Sequence, residues 1–208
     1  MKEFSSEIVN ELASKAYKTA VEHGWHNESL SDSHFLCLVI SELMEAVEAD
    51  RGNYWNKRAK VDWFKKKIET SRICQGLDPD ISKERGYEVA YNETIKGSIE
   101  EELADAAIRL LDLAGLRKIE LSLYGNLGTA NLNKMSFTEA VTNIIGEIYK
   151  ESWNGYYAEK SQLKHTIEMM LEKIYSLTKG LKIDLLEHIE LKMKYNELRS
   201  FKHDGKKY

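Results

Sequence analysis

Proline is almost absent from this chain: Pro79 is the only one in 208 residues, and it sits in GLDPD, a turn-like stretch between two strongly periodic regions. Long uninterrupted helices are therefore allowed on both sides. Cysteine is nearly as scarce, since Cys37 and Cys74 form no CxxC pair, which argues against a disulfide framework or a zinc cluster. Cys37, among Phe35, Leu36, Leu38 and Val39, reads as a small buried thiol. No run approaches the roughly 18 consecutive apolar residues that a membrane span requires, and MKEFSSEIVNELASK has no signal-peptide core. The expectation is a cytoplasmic protein with no membrane partner. Charge of one sign is lacking too: a net −4 and no recognised motif argue against a nucleic-acid partner.

What is present is charged and apolar sequence in helical alternation, 42% hydrophobic and 31% charged, a balance suited to amphipathic helices. The pattern predicts a first helix from Ser5 to His23, stopped by Gly24, and a second beginning after Ser31 or Asp32, with Phe35, Val39, Leu43 and Val47 on one stripe. Residues 52–97 read as a long irregular insertion with one or two helical turns. Ser98 with Glu101 forms a capping-box signature that opens a further strong helix through Leu103, Ala107, Leu110 and Ala114. Ser136 with Glu139 opens another, running to about Trp153; Ala158 to Lys179 fits a third with Gly180 behind it, and Asp184 with Glu187 caps a last one to Arg199. The fold class expected is all-α, one domain over 1–208.

An internal echo accompanies these helices. SFTEAVTNIIGEIYKESW lies over HFLCLVISELMEAVEADR, and HTIEMMLEKIYSLTKGLKID over EELADAAIRLLDLAGLRKIE, with apolar steps kept and most acidic positions lost. Residues 136–180 then read as a degenerate repeat; the plainer alternative is that any two amphipathic helix pairs look alike.

Two acidic pairs stand out, Glu42 with Glu45 and Glu102 with Asp105. Side chains three apart share a helix face about 5 to 6 Å apart, so each pair can turn two carboxylates toward one ion. With 34 acidic residues in the chain, roughly five such pairs arise by chance at this spacing, and a lone ExxE means little. Here both pairs sit in the most apolar helices, where carboxylates without a cation are costly. The alternative is a solvated acidic face. Hard oxygen donors without cysteine or a clear histidine partner favour magnesium, or manganese in its place, over zinc.

This pattern resembles the all-α nucleoside triphosphate pyrophosphohydrolases typified by MazG, a family that includes dimeric dUTPases. The likeness rests on ExxE as Glu42-Leu-Met-Glu45, ExxD as Glu102-Leu-Ala-Asp105, the early Gly24-Trp25, and a closing basic segment, LKMKYNELRSFKHDGKKY. It covers roughly residues 5–50, 98–121 and 184–208, and leaves the 52–97 insertion and a further helical pair unexplained. The resemblance implies a four-helix-bundle-like core and a homodimer. It also implies Glu42, Glu45, Glu102 and Asp105 as magnesium ligands and catalytic carboxylates, and Lys192, Asn196, Arg199 and Lys206 as substrate-binding residues. The reaction implied is attack of water on the α phosphorus of a nucleoside triphosphate, releasing a monophosphate and pyrophosphate. A solvated basic face at the last helix is the other reading of the C-terminal cations.

Secondary candidates are Glu48, Glu101, more simply the capping-box partner of Ser98, and Asp112, a heptad along from Asp105 and placed to support the ligands. Tyr54, Trp55 and Trp63 are candidates to stack on a base or to pack the insertion onto the body. The six histidines, including His23 and His26, show no metal-ligand spacing. Competing with the enzyme are a catalytically silent helical scaffold that presents acidic faces for oligomerisation, and a dUTPase-like relative acting on another nucleotide.

Overall fold

The computed structural model describes residues 4–55, 61–68, 79–123, 132–152 and 160–201. Every regular element among them is helical. They are α1 (Ser6–Glu22), α2 (Asp32–Arg51), α3 (61–68), α4 (Pro79–Thr94), α5 (Ile99–Arg117), a 3₁₀ turn (Leu132–Lys134), α6 (Phe137–Ser152), α7 (Lys160–Gly180) and α8 (Leu185–Leu198). None of these helices is long and apolar enough to cross a membrane.

The helix starts follow the capping chemistry of the sequence. The Ser5, Ser31 and Ser98 hydroxyls accept from the backbone N–H three residues on, as does the Asp184 carboxylate, satisfying donors that have no partner inside a helix. Ser136 and Glu139 close a reciprocal box, the Glu139 carboxylate accepting from the Ser136 N–H at 2.8 Å. Gly24 follows α1 with φ +77°, a conformation that a Cβ disfavours.

α5 is the central helix, packing against α1, α2, α7 and α8. Leu103, Leu110, Leu111 and Leu113 are fully buried on it, each worth about 1.5 to 3 kcal/mol by removal from water. That apolar mass is what can hold a run of acids in the first turn of the same helix. α1 approaches it closely because Gly115 has no side chain: a methyl there would lie 2.7 Å from the Ala13 carbonyl and 2.6 Å from Tyr17 Cβ. α2 packs on α5, α5 on α7, α7 on α6 and α6 back on α2, so four helices close a ring around the main core.

The two helix pairs end alike in the register of the sequence echo. Lys118 lies opposite Lys182 in that alignment, and both adopt positive φ, 52° and 61°. Ile119 N–H donates to Ala114 O at 2.9 Å, and Ile183 N–H to the matching Thr178 O at 2.8 Å. Arg109, which bonds Glu42, lies opposite Lys173, which reaches Glu147 and the Asn143 side chain, both at 2.6 Å.

Three expectations are corrected. Residues 52–97 are more helical than their pattern suggests, holding α3 and the 16-residue α4. Their order comes from aromatics rather than from an aliphatic stripe: Phe64, Tyr87, Tyr91 and Tyr195 form a second small core with Val61, Ala90 and Ile95. Tyr91 stacks on Tyr195 at 4.3 Å between centroids, and Tyr87 Oη–H donates to Leu191 O at 2.8 Å. Cys37 is exposed, because Phe35, Leu36 and Val39 turn into the core and a 100° step carries Cys37 to the outer face; Cys74 lies outside the described residues. α7 runs through Gly180, and the left-handed residue is Lys182.

Candidate functional site

The first turn of α5 carries three consecutive acids, Glu100, Glu101 and Glu102, all buried. Their position at a helix N-terminus, where the dipole is positive, offsets part of the cost of burial. Glu101 folds back over the start of its own helix, with its N–H donating to Ser98 Oγ as the signature suggests and its Oε2 accepting from the Gly97 N–H, one residue before the Ser98 N–H that a capping box would use. Its second oxygen does something the signature does not show: Lys192 Nζ of α8 donates to Oε1 at 2.5 Å.

Glu42 on α2 faces Glu102 and Asp105 on α5. One carboxylate oxygen from each lies within 4.8 Å of the others, a spacing that can bring three hard oxygens onto one divalent ion. The fourth predicted ligand, Glu45, is exposed and lies at the cavity rim, lining the same space. Two cations brace the cluster. Lys192 Nζ lies 2.6 Å from Asp105 Oδ2 as well as against Glu101, and Arg109 donates from Nε and Nη2 to Glu42 Oε1 at 3.1 and 3.0 Å.

The electrostatics show how crowded the acids are. Burial, with the charges of Glu101 and Asp105, pushes the Glu102 carboxyl up to about 9, against the pull of Lys192. Burial and Asp105 raise Glu42 to about 7, with Arg109 opposing. Burial works against the Lys192 ammonium, but Asp105 and Glu101 outweigh it and hold its pKa above the ordinary lysine range. A cation of higher charge brought between these carboxylates would reverse the first two shifts.

That gives a measurable consequence. Because the native pKa of Glu102 and Glu42 is raised, the folded, metal-free protein holds more protons than the unfolded chain between about pH 4.5 and 9, so its stability falls as pH rises through that window. A divalent ion bound at pH 7 should expel the Glu102 proton and about half of that on Glu42, between one and two protons in all. Titration of Mn2+ calorimetrically in two buffers of different ionisation enthalpy reads that number directly. Release of no protons at pH 7 would contradict the arrangement.

The cluster forms one end of a cavity of about 340 Å³, within the range of small-molecule sites. α1 supplies Ala16, Thr19, Ala20 and His23 to the wall, and α8 supplies Lys192, Asn196 and Arg199. Asn196 and Arg199 thus line the same space as the acids, while Lys192 is bound directly to two of them. Lys206 lies outside the described residues. Glu48 turns to solvent and pairs with Arg51, so it is not part of the cluster. Tyr54 and Trp63 are exposed, Trp55 packs on Phe137 and the main core, and none of the three lines the cavity.

Several participants were not expected from the sequence. Arg109 carries a signal, falling on the same stripe as Asp105 and Asp112 at steps of four and three within an otherwise apolar helix. Lys96 and Gly97, just before α5, join the lining. His26 Nε2–H donates to Asp112 Oδ1 at 2.8 Å, a pairing across 86 residues that no local spacing reveals. His23 places both ring nitrogens 2.8 Å from carbonyl oxygens, of Thr19 and Arg199.

Compared with protein-family models, curated proteins and solved structures, the chain gives no significant match to any of them.

Proposed function

We propose that the protein is a divalent-metal-dependent nucleoside triphosphate pyrophosphohydrolase of the MazG-like all-α type. The observation that carries this reading is the approach of Glu42, Glu102 and Asp105, from two helices, to one small volume on the wall of a cavity that Lys192 and Arg199 also line. Acids that converge at such electrostatic cost need a compensating ion, and oxygen-only donors suit magnesium or manganese. Magnesium retains waters and bridges phosphate oxygens, so the bound ion would neutralise the triphosphate and lower the pKa of a water.

The chain's own residues supply the rest. Lys192, Lys96 and Arg199 line the space that a triphosphate would fill, Arg offering a planar fork and Lys a mobile point charge. Glu45, exposed at the rim and not committed to the three-oxygen cluster, is placed to accept a proton from a water attacking the α phosphorus. The products are a nucleoside monophosphate and pyrophosphate. A homodimer belongs to the same reading.

The test is a panel of ribo- and deoxyribonucleoside triphosphates assayed for pyrophosphate release with and without Mg2+. Metal-dependent pyrophosphate from at least one of them is expected; orthophosphate as the only product, or no turnover of any, would refute the proposal. The second reading, a silent helical scaffold, is favoured by one observation, that Lys192 and Arg109 already pair with the acids. It predicts that neither Mn2+ nor a nonhydrolysable nucleotide binds.

A further inference from the structure

The cavity has two ends of different character. Asp105 and Asp112 are seven residues apart on one face of α5, two helical turns or about 10.5 Å. Around Asp105 the lining is charged. Toward Asp112 it is built from Ala16 and Ala20, one turn apart on α1, with Thr19 beside them and Ile108 facing from α5. Two alanines at that spacing put only methyl groups on that stretch of wall, with Trp25 and Met193 also lining the cavity.

A single acidic group stands in this second region. Asp112 is buried to all but 8%, and its partner is fixed: His26 Nε2–H donates to Oδ1, with the imidazole held between Tyr17 and Phe35 at centroid distances of 5.4 and 5.6 Å. His26 Nδ1 is buried and takes part in no hydrogen bond with the described residues, so the imidazole is engaged with Asp112 alone. Asp112 Oδ2 receives no hydrogen bond from any described residue, and the nearest cation on its own helix face, Arg109, is committed to Glu42. A carboxylate has acceptor sites in excess of one bond, so Asp112, which lines the cavity, keeps acceptor capacity there beyond its bond to His26.

From this we infer that Asp112, positioned by His26, is a specificity-determining residue that accepts a hydrogen bond from a donor on the nucleoside, either a ring or exocyclic N–H of the base or a hydroxyl of the sugar. The inference rests on the pyrophosphohydrolase reading for the identity of the ligand and adds where its nucleoside lies. With the phosphates drawn to the acidic end by a divalent ion and Lys192, the stretch lined by Ala16, Ala20 and Asp112 is left for a nucleoside. A carboxylate there accepts and never donates, so it discriminates by what the ligand carries.

The experiment uses the full chain, Mg2+, inorganic tripolyphosphate and a set of α,β-nonhydrolysable nucleoside triphosphates in binding calorimetry. One arm varies the base at constant sugar; the other removes the 2′ and 3′ hydroxyls in turn at constant base. Asp112→Asn keeps an oxygen for His26 and replaces the free acceptor by an N–H donor. It is expected to weaken the preferred nucleotide by about 10- to 100-fold, the loss for a hydrogen bond to a charged group, and to reorder the panel toward ligands lacking the donor, while tripolyphosphate binds as in the wild type. The arm in which the wild-type preference collapses identifies the donor as base or sugar. Ala20→Leu, which adds bulk to that stretch without touching the His26 pair, should weaken every nucleotide and spare tripolyphosphate. Unchanged nucleotide affinities and ranking in Asp112→Asn, or an equal loss for tripolyphosphate, would overturn this inference alone. A wild type that binds neither tripolyphosphate nor any nucleotide would overturn the pyrophosphohydrolase reading, and this inference with it.

Discussion

Glu102→Gln abolishes divalent-metal binding and lowers metal-dependent pyrophosphate release by about a thousandfold or more, yet leaves the metal-free fold as stable at pH 7 as it was. The two halves of that expectation come from one fact. With its carboxyl pushed up to about 9 by burial and by the neighbouring acids, Glu102 is protonated in the empty site, and a glutamine has nearly the shape and hydrogen-bonding character of that neutral group. The metal-free protein should therefore not register the change, and its thermal midpoint should move by no more than a degree or two. With a metal bound the carboxylate must be charged, and glutamine cannot be. Loss of one of three converging oxygen donors removes several kcal/mol of charge stabilisation from the transition state, and about 4 kcal/mol corresponds to a thousandfold. Retention of full Mn2+ affinity and turnover in this variant would end the case for the site.

Lys192→Met gives the opposite signature, a large stability defect that metal repairs. Lys192 is buried with its ammonium shared between Glu101 and Asp105, and removal of one member of a buried ion pair typically costs about 3 to 5 kcal/mol because the partner charge is left uncompensated. For a chain of this size that is a fall of roughly 6 to 20 °C in the melting temperature. A divalent ion bound near Asp105 supplies the missing positive charge, so saturating Mn2+ should raise the melting temperature of the variant by more than it raises that of the wild type. A metal bound at Asp105 would compete with Lys192 for that carboxylate, so with the lysine gone it should bind more tightly. On the pyrophosphohydrolase reading turnover would still be poor, since Lys192 lines the space proposed for the triphosphate. Differential scanning calorimetry with and without Mn2+ measures the first effect; an equal metal-induced shift in both proteins would show that Lys192 does not occupy metal territory.

The sequence made the helical class and most helix ends legible, because capping is local chemistry. Ser31, Ser98, Ser136 and Asp184 stand where caps are needed, and Gly24 where the chain must turn left-handed. Three of the four acids were legible for a related reason, since three-residue spacing in an apolar helix is a geometric statement about one face. Glu45, however, is exposed and stands outside the cluster that Glu42, Glu102 and Asp105 form. α4 was not, because its order depends on aromatic rings packed against α3 and α8 across more than a hundred residues. Lys192 could be placed near the site but not in its role as counter-ion, since nothing in LKMKYNE says that the ammonium meets Asp105. The His26–Asp112 pair was invisible for the same reason of distance. The burial of Cys37 was misjudged from its neighbours, whose hydrophobicity says nothing of which way a helical residue turns.

Among the described residues α8 is the one helix with apolar residues in both packed bodies: Leu185, Leu186, Ile189 and Met193 belong to the larger, Tyr195 to the smaller. A rod wedged between two unequal masses takes its tilt from the balance between them, and the groups it holds over the cavity, Lys192 and Asn196, inherit that tilt. Rings such as Phe64, well outside the cavity wall, thereby help to aim an ammonium they do not adjoin, and the long segment between the two acidic helices becomes part of how the protein presents its positive charge.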